Sequence, residues 1–195
     1  MGRIKSALEI ALERTESVKS NKESIGLFEA KQEGKKLANT FLDDLSINLE
    51  DELKKCPKDQ LESIRQGIFE VLAPQISLPA TAEDLPRIER VGKGLNTLIK
   101  DNRFANLLRQ LVQLLSRYID EATQYEQAIH QQYAPKLRQK EEELSRRLGR
   151  EIRIDPFQDP EFVAFYSQNI NALKANYQTA VDQVRDEAMK IWNRE

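Results

Sequence analysis

Between Asp101 and Leu148 the apolar residues keep a schedule that few folds can use. Phe104, Leu108, Leu111, Leu115, Tyr118, Ala122, Tyr125 and Ile129 are spaced four, three, four, three, four, three and four. That is a heptad seam, the pattern of a helix that lies along another helix. The spacing then lengthens through Tyr133 and Leu137 to Leu144 and Leu148. One helix over this whole span is about 70 Å long at about 1.5 Å per residue. Pro135 is the obstacle, because it has no N–H for the carbonyl of Gln131 and its ring crowds the preceding turn. The apolar phase continues across it, so a kink is expected rather than a break.

The rhythm stops at "LGREIRIDPFQDPEF", residues 148–162. Gly149 suits a left-handed C-cap. The polar and apolar alternation from Arg150 to Ile154 predicts a short extended segment with Ile152 and Ile154 turned the same way. Asp155-Pro156 disfavours helix, and Asp159-Pro160 restarts it as an N-cap followed by proline in the first turn. The last helix then carries Phe162, Tyr166, Ile170, Leu173, Tyr177, Val181, Val184, Ala188 and Trp192, an eleven-residue repeat that favours nearly straight packing.

Two such stripes joined by a turn predict an antiparallel hairpin. Paired antiparallel, facing residue numbers should sum to a constant near 310, which pairs Phe162 with Leu148, Tyr177 with Tyr133, Ala188 with Ala122 and Trp192 with Tyr118. In that register Phe104, Leu107, Leu108, Leu111, Leu114 and Leu115 lack cover. Either the N-terminal helices supply it or a second copy of the chain does. Phe104, Leu107, Leu111 and Leu114 are therefore the candidate self-association residues.

The N-terminal half reads as shorter helices. "RIKSALEIALERTESV" is amphipathic, and "KSNKES" (residues 19–24) is expected to break it, with Ser20 and Glu23 at capping-box spacing for a second helix. That second helix carries Ile25, Phe28, Leu37, Phe41, Leu42 and Leu45, although its middle, "EAKQEGKK", is polar nearly all round. Pro57 is expected in the first turn of a helix that buries Leu61, Ile64, Ile68, Val71 and Leu72. Three prolines in "APQISLPATAEDLP" mark a linker. Asp84 is the expected cap of a helix from Leu85 with Ile88, Val91, Leu95, Leu98 and Ile99 on its face. The expected organisation is an N-terminal helical segment at 1–73, a linker at 74–84 and the hairpin at 85–195. The alternative is one continuous domain that includes 1–73.

Composition narrows the function. Of 195 residues 30 are basic and 32 acidic, for a net charge of −2, unlike a protein built to coat duplex nucleic acid. One cysteine, Cys56, permits no intrachain disulfide, and no apolar run approaches the ~20 residues that span a bilayer. Glu9, Glu13 and Glu16 interrupt any secretory core at the start. Gly2 and Ser6 fit the loose myristoylation pattern, a match short enough for chance to produce. A cytoplasmic protein that does not enter the membrane is expected.

Catalytic chemistry finds little to build on. Glu126 and His130 share a helix face, but a di-iron bundle needs two Glu-x-x-His motifs and the chain has one histidine. Gly92-Lys93-Gly94 fails the P-loop pattern and reads as a close helix crossing or a local weak point in a helix. Charge is more informative. Between Lys136 and Arg153 seven basic residues stand against four acidic ones, whereas "DDLSINLEDE", residues 43–52, holds five acids and no base. A basic hairpin tip and an acidic segment can attract each other between chains or meet different partners.

"RIKSALEIALERTESV" at the start and "DPFQDPEFVAFY" with the helix that follows resemble an uncharacterised bacterial all-helical family. The resemblance implies a bacterial cytoplasmic helical protein and assigns no functional residue. The expected fold is all-α, a long kinked antiparallel helical hairpin, coiled-coil-like, packed with a set of shorter N-terminal helices. The expected function is a non-enzymatic scaffold or protein-interaction protein that self-associates or binds a protein partner, without cofactor or metal. The alternative is anion or nucleic-acid binding through Arg146, Arg147, Arg150 and Arg153.

Overall fold

The computed structural model describes the backbone of residues 7–194 and the side chains of residues 24–194. The described residues are helical, with no strand among them. The helices are α1 (Ala7–Asp43), α2 (Leu49–Lys55), α3 (Leu61–Leu72), α4 (Leu85–Ile99), α5 (Asn102–Leu148) and α6 (Pro160–Trp192). They form two compact units. One takes the residues up to Gln75 together with Arg90–Lys100, and the other takes Ile76–Glu89 together with the residues from Asp101 on.

The first unit is organised by α1 crossing α3. Ala30, Gly34 and Ala38 recur every fourth residue of α1, and the two alanines are 2% and 0% exposed. A Cβ on Gly34 would sit 2.1 Å from the carbonyl oxygen of Ile64, and one on Gly67 would sit 2.1 Å from that of Lys31. Both helices therefore carry glycine where their backbones touch. Glu70 of α3 then ties the crossing from outside, bonded to Lys31 at 2.6 Å and Lys35 at 3.1 Å. The Lys31 hydrogen bond leads in holding its carboxyl below the usual range, against the opposing effect of burial. Ile64, Ile68 and Leu72 of α3 and Val91, Leu95 and Leu98 of α4 complete the core. Gly94 again marks close packing, with Leu72 Cδ1 2.6 Å from where its Cβ would stand.

Three expectations change here. α1 is unbroken through residues 19–24. That stretch has no glycine or proline, and its lysines and glutamate favour helix more than its serines and asparagine oppose it. Pro57 lies in the connection after α2 rather than inside a helix. Cys56 before it is extended, as a residue preceding proline prefers, and Gln60 N–H closes the turn onto the Pro57 carbonyl at 3.1 Å. Asp84 does precede α4, but its carboxylate reaches back to the N–H groups of Ala80 at 2.8 Å and Thr81 at 2.9 Å.

The second unit is the hairpin. Asp101 starts α5 as its N-cap, accepting from the N–H groups of Arg103 and Phe104. The helix runs through Pro135 without a break and ends at Gly149, left-handed at φ 66°. Asp159 caps α6 and Pro160 opens it. The two helices are antiparallel, but the register is not the one expected. Tyr177 packs on Tyr118, ring centroids 4.9 Å apart, and Tyr133 packs on Phe162 at 5.2 Å. Facing numbers thus sum to 295 rather than 310, a slide of about 22 Å at about 1.5 Å per residue.

The connecting segment accounts for the slide. Residues 150–155 do not turn tightly at the tip; they run back along α5. Ile152 N–H bonds Ser145 Oγ at 2.9 Å, and Ile154 N–H bonds Glu141 Oε1 at 2.8 Å. Two extended residues pass four helical ones, because extended chain advances about 3.3 Å per residue and helix about 1.5 Å. So α6 begins opposite Tyr133 and reaches the start of α5.

Candidate functional site

The tip of the hairpin is pinned by one buried acid. Asp159, 6% exposed, accepts from Glu161 N–H as the α6 cap, from Lys140 Nζ at 2.7 and 2.9 Å, and from Tyr133 Oη at 3.0 Å. Lys140 also bonds Glu161 at 2.6 Å, and Lys136 bonds Glu161 at 3.0 Å. The Lys140 hydrogen bond leads in pulling the Asp159 carboxyl below its ordinary value, burial opposes it, and Tyr133 assists. Lys140 is pushed up by its bonds to Asp159 and Glu161.

Beside this network stands an aromatic cluster. Asp155 accepts from Phe157 N–H at 3.0 Å and so sets a short 3-10 turn at Pro156–Gln158. That turn lays Phe157 edge-on against Phe162 and Tyr166, both with centroids at 5.3 Å. His130 packs on Phe162 at 4.9 Å, and Glu126 accepts the Tyr166 hydroxyl at 2.6 Å. The Glu126–His130 pair is thereby engaged in packing. Burial, then the bond to Glu126, pushes the Tyr166 hydroxyl up to about 12. No group of metal-ligating residues stands together among the described residues.

The four arginines expected at the tip are all exposed. Arg146 pairs with Glu142 at 3.4 Å and Arg153 with Glu151 at 3.3 Å. Arg147 and Arg150 have no ion-pair partner among the described residues. Leu148, between them in sequence, is 58% exposed. The arginines do not converge on one point. Arg147 lines an open cleft of about 470 Å³ with Leu144, Ile154 and Pro160. Arg153 lines a separate one with Arg138 and the acids Glu141, Glu142 and Glu151.

Of the candidate self-association residues, Phe104 and Leu111 are buried in the single chain, at 1% and 3% exposure, while Leu107 and Leu114 are half-buried. The observed register brings the end of α6 to them. Phe104 and Leu107 share a cleft with Glu187, Lys190 and Ile191.

The sequence pattern did not reveal Leu45. Read as part of an apolar face, it is instead 80% exposed, and Ile25 and Phe28 are exposed with it. α1 ends at Asp43, and Asp44 Oδ1 accepts from Ser46 N–H at 2.9 Å and from Ser46 Oγ at 2.7 Å. Arg90 grips the turn, donating to the carbonyls of Phe41, Asp44 and Ile47, with its guanidinium 4.2 Å from the centre of the Phe41 ring. Leu45 thus projects from a turn held on both sides. The spacing Asp44-Leu45-Ser46 was the available signal, since Asp and Ser in that order favour a local turn.

A model of a family of unknown function, DUF6657, matches residues 50–190. The chain belongs to that family. The matched span takes in α3 to α5, α6 as far as residue 190 and the whole DUF6657 hairpin tip, and it starts after the Leu45 turn. Neither a curated protein nor a solved structure matches the chain. No helix of this DUF6657 protein, among the described residues, is long and apolar enough to cross a membrane.

Proposed function

We propose that this DUF6657 protein is a non-enzymatic interaction protein that docks a protein partner through its hairpin tip. The observation that carries the reading is the tip itself. Leu148 is 58% exposed within a basic stretch whose Arg147 and Arg150 have no ion-pair partner among the described residues. The Asp159 network and the backbone bonds to Ser145 and Glu141 hold that surface in place before any partner arrives, which lowers the ordering cost of binding. The basic excess of the tip, seven bases against four acids between Lys136 and Arg153, favours an acidic partner and speeds the encounter. The resemblance drawn from the two ends of the chain adds a bacterial cytoplasm as the setting.

The test is a photo-crosslinking residue placed at Arg150 of the full chain in cells. A discrete protein adduct that disappears when Arg147→Glu is added supports the reading. Adducts to nucleic acid alone would favour the anion-binding alternative, and the absence of any adduct would remove both.

A further inference from the structure

The hairpin tip and the Leu45 turn are opposite in net charge. An open cleft at the tip is lined by Leu144, Ile154 and Pro160, with the bases Lys140 and Arg147 beside the acids Glu143 and Asp159. Its volume, about 470 Å³, accommodates a leucine side chain and the turn that carries it. Leu45 is the most exposed of the large apolar residues among the described residues, at 80%. An exposed leucine on a loose loop would mean little. This one is presented by a turn that Ser46, Asp44 and Arg90 hold rigid. The charges around it have the opposite sign to the tip. Residues 43–55 contain five acids and two lysines, and those lysines are already bonded to Asp51 and Glu52.

We infer that the partner of the tip is a second copy of this chain, whose Leu45 turn enters the cleft beside Arg147. The inference rests on the tip being the docking end. The two surfaces differ, and each copy offers one knob and one cleft, so the contact closes a two-fold dimer where it is reciprocal and gives rings or chains where it runs head to tail. Like-charged tips repel one another, and so do like-charged acidic turns, which disfavours tip-to-tip and turn-to-turn pairing.

The experiment uses the full chain and two variants at exposed positions, Leu45→Asp and Arg147→Glu/Arg150→Glu. Analytical ultracentrifugation of the wild type should show mass rising with concentration from the monomer to a dimer or larger. The mass should fall as salt rises from about 0.1 M to about 1 M, where the Debye length shrinks from about 10 Å to about 3 Å. Each variant alone should be monomeric. An equimolar mixture should form a one-to-one dimer and nothing larger, because the first keeps its cleft and the second keeps its knob. A monomeric wild type, or variants that still assemble alone, would overturn the inference. If Leu45→Asp still gives the protein adduct from a crosslinker at Arg150, the tip keeps its docking role and only the self-partner is wrong.

Discussion

The crossing of α1 and α3 gives the sharpest stability test. An alanine Cβ at Gly67 would lie 2.1 Å from the Lys31 carbonyl oxygen and 3.1 Å from the Lys35 nitrogen, both backbone atoms inside a helix. A relaxed carbon–oxygen contact is about 3.3 Å, so the helices must separate by about 1.2 Å. That loosens the approaches at Gly34 and Gly67 together. Overpacking of this kind costs about 1–3 kcal/mol. The same substitution gains about 1 kcal/mol of helix propensity. Gly26→Ala isolates that gain, since Gly26 also lies in α1 and nothing stands within 4 Å of its Cβ position. In urea unfolding followed by circular dichroism, Gly26→Ala should be more stable than wild type. Gly67→Ala should fall below Gly26→Ala by about 1–3 kcal/mol, the overpacking cost alone. Gly34→Ala should behave like Gly67→Ala. The double variant should lose less than the sum, because one separation relieves both contacts. If Gly67→Ala were as stabilising as Gly26→Ala, the helices would not touch there and the crossing would be wrong.

Other expectations follow from single positions. Lys100 ends α4 at φ 51°, so Lys100→Gly should raise the melting temperature by relieving about 1 kcal/mol of left-handed strain. Pro135 sits inside α5, and Pro135→Ala should restore the bond to Gln131 and stabilise the hairpin by up to about 3 kcal/mol, read by the same melt. Asp159 and Glu161 both titrate below their ordinary values when folded. Their contribution is therefore complete above the unfolded values near 3.8 and 4.5 and fades as pH falls through the lowered folded ones. Asp159→Asn should flatten the acid side of a stability-versus-pH curve and leave less to lose between pH 5 and pH 2.

The seam of α5, the Gly149 cap and the Asp159-Pro160 start could be read from the chain because each is a local rule with few exceptions. The register could not. It depends on whether residues 150–155 turn at once or run back along α5, and the alternation of Ile152 and Ile154 fits both. Two helical stripes of similar period also agree in more than one alignment, so the sum of 310 looked as good as the observed 295. In α1 the contact surface is Ala30, Gly34 and Ala38, residues too small to register as an apolar face, so "EAKQEGKK" looked polar while carrying the closest packing in its unit. The same blindness to context put Leu45 in a core it does not enter. The charge balance of residues 136–153 points to the arginines of the tip, but it does not place Arg147 and Arg153 on different clefts.

The register of the hairpin decides where the tip lies and what α6 covers, and paired spin labels measure it directly. In a Cys56→Ser background, labels at exposed positions 124 and 171 sit side by side if facing numbers sum to 295. Labels at 139 and 171 are then offset by fifteen residues, about 22 Å along the helix. Electron–electron distance measurements should give the short distance for Gln124→Cys/Asn171→Cys and the long one for Gln139→Cys/Asn171→Cys. The reverse order would return the hairpin to the tight turn and contradict the packing described for the tip.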